Sequence, residues 1–187
     1  MTDTTDTSAS SQSIRVWDIG VRLFHWSLVA MVAGAYLTED LRRTHRYLGY
    51  IVLALLAFRL VWGLIGTRHA RFASFIPGPR RLITYLRDIA NGTEARYTGH
   101  NPAGAAMIVA LLLTLAAIGA TGHMMGMDQY FGQDWVEELH GVLVNVLLGL
   151  VVFHIGGVLL ASTRHHENLV RAMITGRKRK DADSPDA

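Results

Sequence analysis

Two stretches of this chain, 103–123 (AGAAMIVALLLTLAAIGATGH) and 139–161 (LHGVLVNVLLGLVVFHIGGVLLA), contain no lysine, arginine, aspartate or glutamate. A soluble helix of that length needs a polar face, whereas a helix that crosses a hydrocarbon core of about 30 Å needs roughly 20 apolar residues. Segments 19–38 (IGVRLFHWSLVAMVAGAYLT) and 45–65 (HRYLGYIVLALLAFRLVWGLI) are nearly as apolar. The expected fold class is therefore all-α, an integral membrane four-helix bundle with interfacial helices. A charged fraction of 18% agrees, since an average soluble domain carries roughly 25%.

The polar, acidic segment 1–13 lacks the basic start and short apolar run of a signal peptide and is expected to be a disordered tail. Residues 14–176 are expected to form the membrane domain, and 177–187 a polar C-terminal tail. Of the 18 basic residues, all but Arg42, Arg43, Arg46 and Arg59 lie before or at the start of the first span, between the second and third, or after the fourth. The loop between the third and fourth spans instead holds Asp128, Asp134, Glu137 and Glu138. By the positive-inside rule both termini are expected in the cytoplasm, with the arginines of the first loop as the dissenting charges. Within the long inner loop, P-G-P at 77–79 breaks structure, and the stretch RRLITYLRDIAN spaces Leu82, Leu86 and Ile89 as an interfacial helix would. The basic C-terminal cluster is expected to gather at anionic lipid headgroups, with no nucleic-acid role.

The chain has no cysteine, which excludes disulfides, thiolate-held metals and covalent attachment of a c-type haem. It has nine histidines, of which His25, His45, His140 and His154 belong to the apolar segments. A polar ring in hydrocarbon is costly and points to function. His140 and His154 are 14 residues apart, close to four helical turns, so they share one face about 21 Å apart. His25 lies at a depth comparable with His154 near the inner side, and His45 with His140 near the outer side. Two layers of two imidazoles match the two axial positions of a low-spin haem, whereas zinc wants three or four ligands in one layer. Taken singly, each histidine could equally serve an interhelical hydrogen bond or a proton relay. Gly34, Gly49, Gly141, Gly149, Gly156 and Gly157 offer small neighbours on the same helices. Arg59, 14 residues after His45, reads as a partner for a haem propionate or a quinone headgroup, or as a snorkelling cation. His123 is the rival ligand for the outer layer. His69, His100, His165 and His166 read as interfacial polar residues.

RLFHW in the first span, HRYLGY opening the second, FRLVWGLIGTRHARFASFIPGP leaving it, GHNPAGAAMI opening the third and LH-x13-H in the fourth together resemble the bacterial di-haem cytochrome b family. That family joins bacterial cytochrome b561 to the b-type subunits of nickel–iron hydrogenases. The resemblance covers residues 14–176. It implies a bacterial inner-membrane cytochrome with two non-covalent b-type haems, moving electrons between a quinone pool and a partner, with His25, His45, His140 and His154 as axial ligands. The acidic outer loop suggests a periplasmic electron-transfer protein such as a c-type cytochrome as that partner. Alternatives are a haem-containing anchor of a hydrogenase-like oxidoreductase or a superoxide:quinone oxidoreductase. A proton or ion transporter and a haem-free anchor represent other classes; the first is disfavoured because the third and fourth spans contain no carboxylate relay.

Overall fold

The computed structural model describes residues 13–179. Strand β1 (Ser13–Arg15) leads into helix α1 (Ile19–Leu37), then α2 (Arg42–Ile65), α3 (Pro79–Asn91), α4 (Pro102–Met124), α5 (Asp134–Arg164), α6 (Leu169–Thr175) and strand β2 (Arg177–Arg179). Four of these helices, α1, α2, α4 and α5, are long and apolar enough to cross a membrane. The second span starts earlier than the expected residue 45, and the fourth runs from 134 to 164. In both, charged residues at the ends continue the helix beyond the apolar run, where headgroups and water solvate them.

Local chemistry sets the boundaries. The Asp18 side chain caps α1 by accepting from the Val21 N–H at 3.0 Å. Asn101 does the same for α4, accepting from the Gly104 N–H at 2.7 Å just ahead of Pro102. Helices α3 and α6 both stop at a glycine in the left-handed region, Gly92 at φ 70° and Gly176 at φ 79°.

Helix α1 packs along α2, α4 along α5, and α2 joins the two pairs through α4. Val52, Leu56, Leu115 and Leu147 form the buried cluster at that junction. A Cβ on Gly119 would lie 2.3 Å from the Leu53 side chain, so α2 and α4 approach as closely as a small residue permits. Large apolar side chains cover the outside, with Val152 68% and Phe153 73% exposed. Lipid is the solvent such a surface requires. The expected interfacial helix is α3, which lies against α4 and leaves Ile83 and Leu86 exposed.

At the edges of the described residues, Ser13 and Arg177–Arg179, read in the sequence as parts of polar tails, lie in short strands. Strands β1 and β2 pair antiparallel, Ser13 with Arg179, Ile14 with Lys178 and Arg15 with Arg177, so both ends of the described chain meet at one end of the bundle. Alternation along β2 turns Lys178 inward while Arg177 and Arg179 stay exposed. Lys178 Nζ donates to the Tyr97 carbonyl at 3.0 Å and faces Glu167 at 3.5 Å; Glu167 also accepts from Arg96 at 2.9 Å. Burial pushes the Lys178 pKa down, opposed by the Glu167 charge. One lysine assigned to the headgroup layer thus belongs to a buried ion-pair clasp instead. Residues 1–12 and Lys180 lie outside the described residues.

Asp18 is the second tie at this end. Besides capping α1, it accepts from Trp62 Nε1 at 3.1 Å and from Thr67 Oγ1 at 2.6 Å, joining α1 to the end of α2. Burial by itself would raise its pKa, but the bonds from Thr67, Val21 and Trp62 hold it below the ordinary value. Asp18→Ala should therefore cost about 1–3 kcal/mol through the lost cap and the stranded donors, read as a lower thermal unfolding midpoint in detergent. The carboxylate is the form that accepts these bonds. Its contribution is present above the unfolded carboxyl pKa of about 4 and fades as pH falls through the lower folded value, so the gap between wild type and variant should close in acid.

Candidate functional site

The four histidines of the spans meet in two pairs. At the end carrying the termini, His25 on α1 faces His154 on α5, with ring centroids 6.4 Å apart and planes at 52°. At the distal end, His45 on α2 faces His140 on α5, 6.2 Å apart and at 70°. Each of α1 and α2 thus presents one imidazole to α5, although neither packs extensively along it. Among the described residues no group of three or more histidine, cysteine or carboxylate side chains gathers as a metal cluster would.

Whether a bis-imidazole metal fits is a matter of distance, tautomer and room. Two imidazoles bonded through facing nitrogens to one metal, each bond about 2.0 Å, place their centroids about 6 Å apart, the spacing of both pairs. His45 Nδ1 lies 2.9 Å from the Ala35 carbonyl, which can only accept, so the proton sits on Nδ1 and Nε2 keeps its lone pair. His140 Nδ1 lies 2.9 Å from Thr121 Oγ1. His25 Nδ1 is buried without a hydrogen-bond partner. A Cβ at Gly49 or Gly157, each about one turn from a paired histidine, would meet no atom within 4 Å. The spacing of both pairs and the tautomer of His45 are compatible with a metal held between two imidazoles.

Arg59 is 3% exposed and does not snorkel. Its guanidinium lies over the Phe72 ring at 4.6 Å, and Nη1 is buried without a partner. A Cβ on Gly63 would lie 2.1 Å from Phe72, so glycine one turn along α2 is what lets that ring reach Arg59. His123 stands apart from both pairs: it is exposed, and its Nδ1 lies 3.0 Å from the Tyr50 hydroxyl. His100 does not sit in the headgroup layer either. Its ring is held between Trp17 at 4.4 Å and Phe75 at 4.5 Å. Burial, then the charges of Arg59, Lys178 and His69, push its pKa down to about 3, which keeps it neutral. Asp128, Asp134, Glu137 and Glu138 are exposed around the start of α5 at the distal end.

Sequence reasoning did not single out Thr121, which touches His140, or Trp17 and Phe75, which enclose His100. No spacing rule links residue 121 to 140 or 17 to 100; the contacts exist only once the helices have packed. Asp18 was equally silent, although an aspartate directly before an apolar helix is a readable N-cap signal.

Known proteins supply an independent comparison. A family model described as prokaryotic cytochrome b561 matches residues 16–176. The probable Ni/Fe-hydrogenase B-type cytochrome subunit of Azotobacter vinelandii is 24% identical, with 93% of this chain and 92% of that protein covered. Those of Bradyrhizobium diazoefficiens and Rhizobium leguminosarum bv. viciae are each 21% identical, with 89% of this chain and 86% and 89% of their own lengths covered. With the match extending from β1's end through α6, this chain belongs to the prokaryotic cytochrome b561 family of membrane b-type cytochromes.

Proposed function

We propose that this protein is an inner-membrane electron carrier with two bis-histidine b-type haems, held by His25 with His154 and by His45 with His140, linking the quinone pool to a redox partner. The observation that carries this reading is the pair of facing imidazoles at each end of the bundle, 6.4 and 6.2 Å apart. Haem iron supplies reversible one-electron chemistry at such positions. The residues of the chain place, orient and insulate. Helix α5 sets the two levels, because His140 and His154 are 14 residues apart on one continuous helix. The Ala35 carbonyl turns His45 so that Nε2 faces its partner. Arg59, a buried cation with an unpartnered Nη1, suits a carboxylate such as a haem propionate or the oxygen of a quinone at the termini end.

The termini end is assigned to the cytoplasm because it carries most of the basic residues. The distal end then faces the periplasm, with its exposed carboxylates available to steer a basic partner. The relatives named as hydrogenase cytochrome subunits support a hydrogenase-type catalytic partner, and a c-type cytochrome fits the same acidic face.

A pyridine haemochrome assay should give two haems per chain, all extractable by acid–acetone because no cysteine tethers them. His25→Ala and His154→Ala should remove the same spectral component, and His45→Ala and His140→Ala the other. A single haem in the wild type, or separate losses within a pair, would refute the assignment. Replacing Arg59 by glutamine removes a positive charge that favours the reduced state; the potential of the termini-side component should fall on the order of tens of millivolts in a redox titration. For orientation, cysteine at 128 should react with an impermeant maleimide in intact spheroplasts and cysteine at 177 should not. The opposite labelling inverts the bundle.

A further inference from the structure

Helix α4 carries none of the four paired histidines, yet it holds one of them in place. Thr121, 5% exposed, sits near its distal end with Oγ1 2.9 Å from His140 Nδ1. The same hydroxyl lies 3.0 Å from the carbonyl of Ala117 and 3.0 Å from that of Ile118. A threonine hydroxyl has one proton and two lone pairs. With the proton directed to the helix backbone, the oxygen has only lone pairs for the imidazole, and His140 Nδ1 must be the donor. The next residue closes the other side: a Cβ on Gly122 would come within 3.3 Å of His140 Cε1. The ring is therefore seated against α4, where a methyl group would press on it.

We infer that Thr121 is a positioning residue that holds His140 as the Nδ1–H tautomer, with Nε2 unprotonated toward His45, and makes the distal pair the more electron-donating of the two. His45 is held in the same tautomer by the Ala35 carbonyl, whereas His25 at the other end has no acceptor for Nδ1. An imidazole that donates its second N–H to an acceptor is a more basic ligand. The oxidised state of a metal at the distal level is thereby favoured, which lowers that site's potential relative to the other. The carbonyls of Ala35 and of Ile118, which also reaches His140, act through the backbone, so Thr121 is the acceptor whose side chain a substitution can remove.

The inference rests on the two-haem reading, and the same holoprotein separates the two. Wild type with fewer than two low-spin haems overturns that reading and this inference with it. With two present, Thr121→Val, which keeps shape and removes the hydroxyl, is expected to raise the midpoint potential of one component, the one lost in His140→Ala, and to shift its low-spin EPR signal. The other component should stay where it is. Thr121→Ser should restore both values. If Thr121→Val loses the distal haem outright while Thr121→Ser retains it, the hydroxyl requirement still holds. Unchanged potentials and EPR signals in Thr121→Val, or Thr121→Ser behaving as the valine variant does, overturn the inference.

Discussion

An imidazole inside a hydrocarbon layer must be held by something, because no water is present to solvate its nitrogens. The architecture answers that requirement for four histidines at once. Helix α5 supplies one ring at each of two levels, and α1 and α2 supply the facing rings. Distances of 6.4 and 6.2 Å between centroids set the separation of α5 from its two partners. Direct packing is concentrated elsewhere, between α4 and α5, between α1 and α2, and at the α2–α4 junction where Gly119 admits Leu53. The bundle is thus two tight helix pairs sharing one seam, with the imidazoles bridging the remaining faces.

The two ends of this scaffold are chemically unlike. At the termini end, charge is paired and partly buried: Glu167 gathers Arg96 and Lys178, Asp18 gathers Trp62 and Thr67, and Arg22 donates to the Ile174 carbonyl. These contacts tie the first and last described strands to the loops and keep that end of the four-helix frame together. Arg59 and His100 stand just inside it, each with a buried nitrogen that no atom of the described residues satisfies. At the distal end the carboxylates are exposed, and His45 and His140 each have a hydrogen-bond partner at Nδ1. One end therefore has buried nitrogens to spare, and the other has its paired histidines held through Nδ1.

That asymmetry bears on electron transfer because a protein tunes a redox centre through ligand basicity, nearby charge and burial. Behind the distal rings lie the Ala35 carbonyl, at His45, and the Thr121 hydroxyl, at His140. At the termini-side pair, no acceptor among the described residues faces His25 Nδ1. In the proposed two-haem cytochrome, that difference would lower the potential of the distal site relative to the other.

Most of the frame was readable from the residues alone. Predominantly apolar runs of about 20 residues have one stable home, so the four spans and their helical state follow from composition and length. The pairing of His25 with His154 and His45 with His140 was also readable, because helical rise converts sequence position into depth and a span that enters from one side must leave by the other. Tertiary structure decided what depth cannot encode. Whether Arg59 reaches water or stays under Phe72 depends on a loop folding back over α2, which Gly63 permits. Whether Lys178 meets lipid or Glu167 depends on strand pairing between segments more than 160 residues apart. The rotation of α4 that sets Thr121 behind His140 comes from packing against α5, since both helices are nearly uniform in apolarity around their circumference. A hydrophobic pattern without a preferred face specifies that a helix crosses the membrane; side-chain fit between neighbours chooses which way it turns.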